Sequence, residues 1–211
     1  TLLLVGLVTG AFLCCFGAVY IKTVIIPVAQ EFTMNDFDVG ENSVMYYQDK
    51  STGEYKELVT LLNTTSSIWV DSDEIPKYLK EAAVAVEDKR FYTHPGVDWV
   101  RTGKAVLCMF TGQDIQGGST ITQQLIKNLT TVKRKVVEIF RALEFTKKYS
   151  KDYTLEWYLN IIPMGGKYKG VGSASYYYFG KPVSELSLAE CASLISITNN
   201  PSMYSPYSTA R

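Results

Sequence analysis

The sequence predicts a mainly α-helical protein with a minor β part, preceded by one membrane-crossing helix. Three observations carry this reading. Thr1–Ile21 is a run of 21 residues without a charge. Residues 31–75 hold short β-prone runs separated by turn chemistry. From Pro76 onward apolar residues recur at helical spacing, and two capping boxes mark helix starts. The expected division is an anchor over 1–26, a linker with short strands over 27–75 and the main domain over 76–211.

The leader comes first. About 20 apolar residues cross a bilayer as a helix. Leu2–Val5, Phe12, Phe16 and Val19 supply such a run, and Gly6, Gly10 and Gly17 are tolerated within it. Tyr20 and Lys22 stand where an interfacial anchor belongs, and Pro27 is expected to mark the end. The competing reading is a cleaved signal peptide. Its apolar region is about 7–15 residues and is followed by a small-residue cleavage site, and neither matches here.

In the linker, Met45–Tyr47, Glu57–Val59 and Ser67–Val70 are β-prone, and Asp49–Gly53 has turn chemistry between the first two. A small hairpin between membrane and main domain follows. Pro76 suits the first position of a helix that runs through Leu79, Ala82, Ala83 and Val86. Later helices are predicted over 119–129, 132–148, 151–160 and 187–198. Thr120 with Gln123, and Ser187 with Glu190, make the capping boxes.

Composition excludes whole classes. Hydrophobic residues at 46% and charged residues at 20% rule out a disordered or collagen-like chain. Lys+Arg and Asp+Glu are both 21, so the net charge is zero, which argues against a broad nucleic-acid surface. Residues 1–30 hold a single charge, Lys22, leaving 20 basic against 21 acidic residues in 31–211. His94 is the only histidine, which weakens a His-rich metal site or a serine triad. The cysteines are Cys14, Cys15, Cys108 and Cys191. Their spacing indicates neither zinc nor a redox motif, and a Cys108–Cys191 disulfide is compatible but not required.

Four segments could carry chemistry. Glu87–Gly96 places Glu87 four residues after Ala83, at the edge of the apolar face, where a partly desolvated carboxylate suits proton transfer. Its competing reading is a charged helix end with a satisfied histidine. Gly117–Asn128 leads two glycines into a capped helix, a start that suits an anion, or else is a plain N-cap. Arg134–Glu138 follows, where Val136, Ile139, Phe140 and Leu143 form the expected buried stripe. Glu138 then points away, between Arg134 and Arg141, on a cleft wall or a merely solvated face. Lys151–Asn160 brings Trp157 and Tyr158, which could stack on sugars but are read as core.

Together these segments resemble the glycosyltransferase domain of peptidoglycan polymerases, glycosyltransferase family 51, found in class A penicillin-binding proteins and monofunctional transglycosylases. Glu87 to Gly96 fits E-D-x-x-F-x-x-H-x-G. Gly117 to Gln124 fits G-x-S-T-I-T-Q-Q. Arg134, Lys135 and Glu138 fit R-K-x-x-E, and Lys151 to Asn160 fits K-x-x-x-L-E-x-Y-L-N. Gly170–Ala174, Tyr178–Lys181 and Leu186–Glu190 also look like the family's, so the likeness covers about 75–205.

The resemblance implies a lysozyme-like helical lobe, a small membrane-facing lobe and a cleft between them. It implies an inverting, general-base-catalysed hexosyltransferase of cell wall biogenesis, single-pass in the cell membrane with its catalytic domain extracytoplasmic. Such an enzyme polymerises lipid II into β-1,4-linked glycan strands and releases undecaprenyl diphosphate. Carried over, Glu87 is the general base and Glu138 the second carboxylate, assisting the leaving diphosphate. Lys127, Arg134 and Lys135 are candidates for the diphosphate. Ser119, Thr120, Gln123 and Gln124 line the donor cleft. Lys104 and Gly118 join the substrate-binding set, and Asp88 and His94 brace the first motif beside it.

The implied partners are lipid II, the growing lipid-linked chain, the membrane and other cell-wall synthesis proteins, with no nucleic acid. No cofactor is required, because the sugar arrives activated. A divalent cation, Mg or Mn, is compatible with a diphosphate, but no ligand cluster argues for a dedicated metal site. The apolar run Val106–Phe110 is expected either to dip into the membrane surface or to be ordinary core.

Two departures stand beside the match. Only Leu129–Lys133 separates Asn128 from Arg134, several residues fewer than is usual in the family, which is either a truly short loop or a discontinuity near Thr130–Val132. No S-x-x-K, S-D-N or K-T-G set is present, so the expectation is a monofunctional enzyme or a part of a bifunctional one. The competing functions are a membrane-anchored, lysozyme-like glycoside hydrolase or lytic enzyme, and an anchored envelope scaffold with Glu87 and Glu138 as surface charges. Geometry discriminates: the transferase needs both carboxylates at one cleft with cations near Glu138.

Overall fold

A computed structural model describes residues 2–34, 43–61, 66–111, 117–130 and 135–207. The architecture is mainly helical, with an apolar N-terminal helix and a small antiparallel hairpin. Helix α1 (Leu2–Tyr20) runs through a π-helical turn (Ile21–Ile25) directly into α2 (Ile26–Gln30). Leu3–Gln30 contains an 18-residue stretch of mean hydropathy 2.2 and is long and apolar enough to cross a membrane. Pro27 does not end it, contrary to expectation. A proline lacks an N–H and its ring crowds the carbonyl four residues back, and a wide π turn absorbs both. Here the turn immediately precedes the proline, and the Ile26 N–H reaches back to Ile21 O.

The C-terminal end of this helix is fastened to α6 (Lys135–Lys148). Ile25 and Ala29 are buried. Phe32 packs on Phe145 at 6.1 Å, under the Arg141 guanidinium at 5.3 Å. Lys148 Nζ donates to Gln30 O at 2.6 Å, and the Met34 N–H donates to Tyr149 Oη at 3.1 Å.

Strands β1 (Ser43–Gln48) and β2 (Tyr55–Leu61) form the expected hairpin, with a bulge at Met45/Tyr46. Its turn is closed by Asp49, whose carboxylate accepts from Ser51 and from Lys56 Nζ at 2.6 Å. The third β-prone run is corrected. Only β3 (Ser66–Ser67) pairs, in parallel with β4 (Tyr168–Lys169). Beyond it side chains replace the ladder. The Ile68 N–H donates to Ser173 Oγ, and Asn160 accepts from the Val70 N–H and donates to Val70 O, each at 2.8 Å. Trp69 meets Trp157 edge-on at 4.8 Å.

The main body comprises α3 (Lys77–Glu87), α4 (Trp99–Thr111), α5 (Ile121–Leu129), α6, α7 (Lys151–Ile161), α8 (Gly170–Phe179), α9 (Leu188–Asn199) and α10 (Pro201–Tyr204). Helix α3 packs on α9, α5 on α6 and α7, and α7 on α8. Leu79, Phe91, Leu125, Phe145, Leu159 and Leu194 anchor the shared core. Pro76 is the N-cap of α3 rather than its first residue. Both predicted capping boxes form, at Thr120/Gln123 and Ser187/Glu190. Ser119 therefore precedes α5 instead of opening it.

The stripe on α6 is also corrected. Val137, Ala142 and Phe145 are buried, whereas Val136 is 49% exposed. The face turns because α2 and Phe32 cover Phe145, which the expected stripe had left out. Cys191 is a buried thiol outside any disulfide.

Asn160 is fully buried and satisfies both backbone groups of Val70. An unsatisfied buried polar group costs about 1–3 kcal/mol. Asn160→Ala should therefore lower the thermal midpoint of the folded chain by roughly 5–10 °C, read by circular dichroism in detergent.

Candidate active site

The site is organised around the C-terminal end of α3. Glu87 is its last residue and is 9% exposed. Oε2 accepts from Gln124 Nε2 at 2.8 Å, and Oε1 accepts from Thr198 Oγ1 at 2.8 Å. The Arg101 guanidinium donates to the Glu87 backbone carbonyl. Gln124 is itself oriented: Tyr158 Oη donates to its Oε1 at 3.2 Å, which turns the amide nitrogen toward Glu87. Tyr158 is buried, and burial first, with the Glu87 and Asp88 charges second, drives its hydroxyl well above the usual phenol range. It stays a neutral donor.

Asp88 turns the other way. Its Oδ2 accepts from the Ile121 N–H at 3.1 Å, at the positive end of α5, and faces His94 Nε2 at 2.8 Å. The Gly96 N–H donates to His94 Nδ1 at 3.1 Å, so the ring hydrogen sits on Nε2 and points at Asp88. Asp88 and His94 thus tie the turn after α3 to the start of α5. Lys151 Nζ is buried over the Phe91 ring at 4.6 Å, and burial pulls its pKa down against the opposing charge of Asp88.

Glu138 lies in the first turn of α6 with 11% of its side chain exposed. Lys135 Nζ bridges it, at 2.5 Å from Glu138 Oε1 and 2.9 Å from Ser119 Oγ. Both carboxylates are therefore tied to residues 119–124, Glu87 through Gln124 and Glu138 through Lys135 and Ser119.

The remaining candidates separate. Thr120 and Gln123 are 0% and 1% exposed and do not line a cleft. Thr120 Oγ1 donates to Gly96 O at 2.6 Å and accepts from the Gln123 N–H, and Gln123 Oε1 accepts from the Thr120 N–H at 3.0 Å. Their polar groups are committed to the capping box. Gly118 lies against α4, where a Cβ would come within 3.0 Å of Ala105. Lys127 is exposed in the last turn of α5. Arg134, and with it the short connection after Thr130, lies outside the described residues.

A cavity of about 570 Å³ is lined by Val86, the residue before Glu87, and by Arg101, whose guanidinium bonds the Glu87 backbone carbonyl; the Glu87 carboxylate itself does not line it. Lys89, Arg90, Arg101, Lys104 and Asn199 line it together with Asp98. Asp98 is claimed by Arg90 through two bonds, of 2.8 and 2.6 Å. Burial raises its pKa, but the Arg101 N–H and Arg90 outweigh burial and hold the carboxyl below its usual range. The cavity therefore offers cations, including Lys104, to an anionic ligand. Among the described residues no group of three or more His, Cys, Asp or Glu is placed to hold a metal ion. Of the apolar run after Lys104, Val106 and Leu107 are 46% and 63% exposed and so are not core. Trp99 and Val100 on the same helix are exposed as well.

Comparison with known proteins agrees with the motifs. The family described as Transglycosylase matches residues 54–211. The chain belongs to this transglycosylase family. It is 42% identical over 180 residues to penicillin-binding protein 1A of Clostridium botulinum, covering 81% of this chain and 21% of that protein. It is 41% identical over 169 residues to penicillin-binding protein 1F of Bacillus subtilis, covering 77% and 24%. Penicillin-binding protein 1A of Clostridium novyi is 35% identical over 207 residues, covering 90% and 23%. The chain thus spans about a fifth to a quarter of the length of these relatives. Glu87 and Glu138 both lie within the residues that match the family.

Sequence reasoning missed three residues of the site. Thr198 lies 111 positions from Glu87, one residue before the end of α9, and no local pattern marks it. Arg101 lies outside all four motif segments. Tyr158 was read as core, which it is, and the hydrogen bond of its hydroxyl to Gln124 was invisible in the pattern.

Proposed function

We propose that this transglycosylase polymerises lipid II into β-1,4-linked glycan strands and releases undecaprenyl diphosphate. The observation that supports it most is the setting of Glu87. It is a buried carboxylate whose two oxygens each accept one hydrogen bond, leaving a lone pair on each for an attacking hydroxyl, and the cation-lined cavity reaches its neighbours Val86 and Arg101.

In this reading the 4-hydroxyl of the acceptor sugar gives its proton to Glu87. Its oxygen bonds the donor's anomeric carbon from the face opposite the diphosphate, and the carbon–oxygen bond to the diphosphate breaks with its electron pair on the leaving group. Inversion turns an α linkage into a β linkage. Positive charge at the leaving group stabilises the transition state. Lys127, Arg134 and Lys135 are proposed for that task, with Glu138 keeping Lys135 in place. Asp88 and His94 are proposed as braces rather than substrate contacts. No cofactor is required in this scheme, and a divalent cation, Mg or Mn, would enter with the diphosphate.

Leu3–Gln30 would hold the chain in the membrane as a single span, with residues 76–211 as the extracytoplasmic catalytic domain. The substrate's polyprenyl tail confines it to the same plane, which raises its effective concentration. The exposed apolar side chains of α4 fit a membrane contact. Leu107→Glu should then raise KM severalfold for lipid II in vesicles and leave the rate in detergent micelles near normal, measured side by side.

The test of function is incubation of the chain with labelled lipid II in detergent. Glycan polymer together with released undecaprenyl diphosphate is expected. Cleavage of preformed strands with no polymer would instead identify a lytic hydrolase.

A further inference from the structure

Two groups hold the carboxylate of Glu87, and they differ in kind. The Gln124 amide nitrogen is a donor only, and its carbonyl partner atom is already engaged by Tyr158. Thr198 is a hydroxyl, with one hydrogen and lone pairs. Its Oγ1 lies 2.8 Å from Glu87 Oε1 and 2.7 Å from Ile195 O. Both neighbours are acceptors while Glu87 is ionised, so the single hydrogen serves one of them at a time. Bonds to a charged acceptor are the stronger kind, so it points at Glu87. Once Glu87 carries a proton the balance reverses. The carboxylic acid can donate to Thr198 Oγ1, and the Thr198 hydrogen turns to Ile195 O.

From this geometry we infer that Thr198 is a positioning residue that holds Glu87 in place in both protonation states of the catalytic cycle. The inference rests on the reading of Glu87 as the general base. In the transfer step the proton leaves the acceptor hydroxyl for Glu87, the new carbon–oxygen bond forms and the bond to the diphosphate breaks. The hydrogen of Thr198 never leaves its oxygen. It rotates about the Cβ–Oγ1 bond, and rotates back when Glu87 returns its proton to water. Neither state leaves Oγ1 without a donor or an acceptor. The arrangement costs little structurally, because the carbonyl three residues back is an acceptor that a threonine at a helix end can reach whenever its hydrogen is released by Glu87.

The test uses the whole chain in detergent with labelled lipid II. Thr198→Val keeps the shape and removes the hydroxyl, and Thr198→Ser keeps the hydroxyl. Loss of a hydrogen bond to a charged group predicts a fall in kcat of about tenfold or more for Thr198→Val. KM should be unchanged, and Thr198→Ser should retain near-wild-type kcat. If Thr198→Val does not fold, Thr198→Ala removes the same hydroxyl without bulk, and its kcat carries the test. A valine or alanine variant with wild-type kcat would overturn the inference, as would a serine variant as impaired as valine. A wild-type chain that makes no polymer would overturn the reading of the site itself, a result separable from both.

Discussion

Glu87→Gln lowers the initial rate of polymer formation from labelled lipid II by on the order of 10²–10⁴-fold, the range for a positioned general base, without loosening the fold. The second half of this expectation follows from the partners. A glutamine side chain has the same shape with one acceptor oxygen and one amide donor. The oxygen can still accept from Gln124 Nε2. The new amide nitrogen faces Thr198 Oγ1, which turns its hydrogen to Ile195 O and accepts. No buried group is left without a partner, so thermal unfolding of the variant should match that of the parent. A variant that polymerises at the parental rate would remove Glu87 from the base position. A variant that unfolds early would show that the carboxylate has a structural role the geometry does not assign to it.

Gly96→Ala should be the most destabilising single methyl group in this region. Gly96 has φ +99°, a conformation that only glycine adopts readily. Its Cβ would sit 2.3 Å from Ala142 O and 2.6 Å from Thr146 Oγ1, against the backbone of α6. A non-glycine residue held in such a conformation costs about 1–3 kcal/mol, and forced overpacking about as much again. Domain stability is only about 5–15 kcal/mol. The local connections worsen the effect. The Gly96 N–H donates to His94 Nδ1, and Gly96 O accepts from Thr120 Oγ1, so a displaced turn also frees the N-cap of α5. The expected result is a fall in the thermal midpoint of about 5–20 °C, measured by circular dichroism, with a parallel loss of polymerisation. A midpoint within a degree of the parent would mean that α6 yields to the added methyl group.

These two residues also show how much was legible in the sequence. The spacing of Leu79, Ala83 and Glu87 on one helix, and the capping box at Thr120/Gln123, are local patterns and read directly. So does the hairpin turn at Asp49–Gly53. What escaped was tertiary. Thr120 and Gln123 read as cleft polarity because a pattern of hydroxyls and amides cannot say which of them the helix start has claimed. The stripe of α6 was misplaced because its partner, the segment through Phe32, lies over a hundred residues earlier in the chain. Ser67–Val70 read as a strand because its residues are β-prone, but the groups that satisfy Ile68 and Val70 are side chains of α8 and α7. Thr198 had no signal at all, since its meaning depends on a carboxylate brought to it by packing between α3 and α9.

The fastening of α2 to α6 has a mechanical consequence. Lys148 grips the backbone carbonyls of Gln30 and Phe32, and Phe32 wedges against Phe145. Ile25 and Ala29 complete the joint. Helix α6 carries Lys135 and Glu138 at its far end. The hydrophobic rod and the pair of charges thus share one packed helix, joined at one end to the rod and bearing Glu138 at the other. A force on the rod has a continuous chain of packed side chains through which to reach this carboxylate.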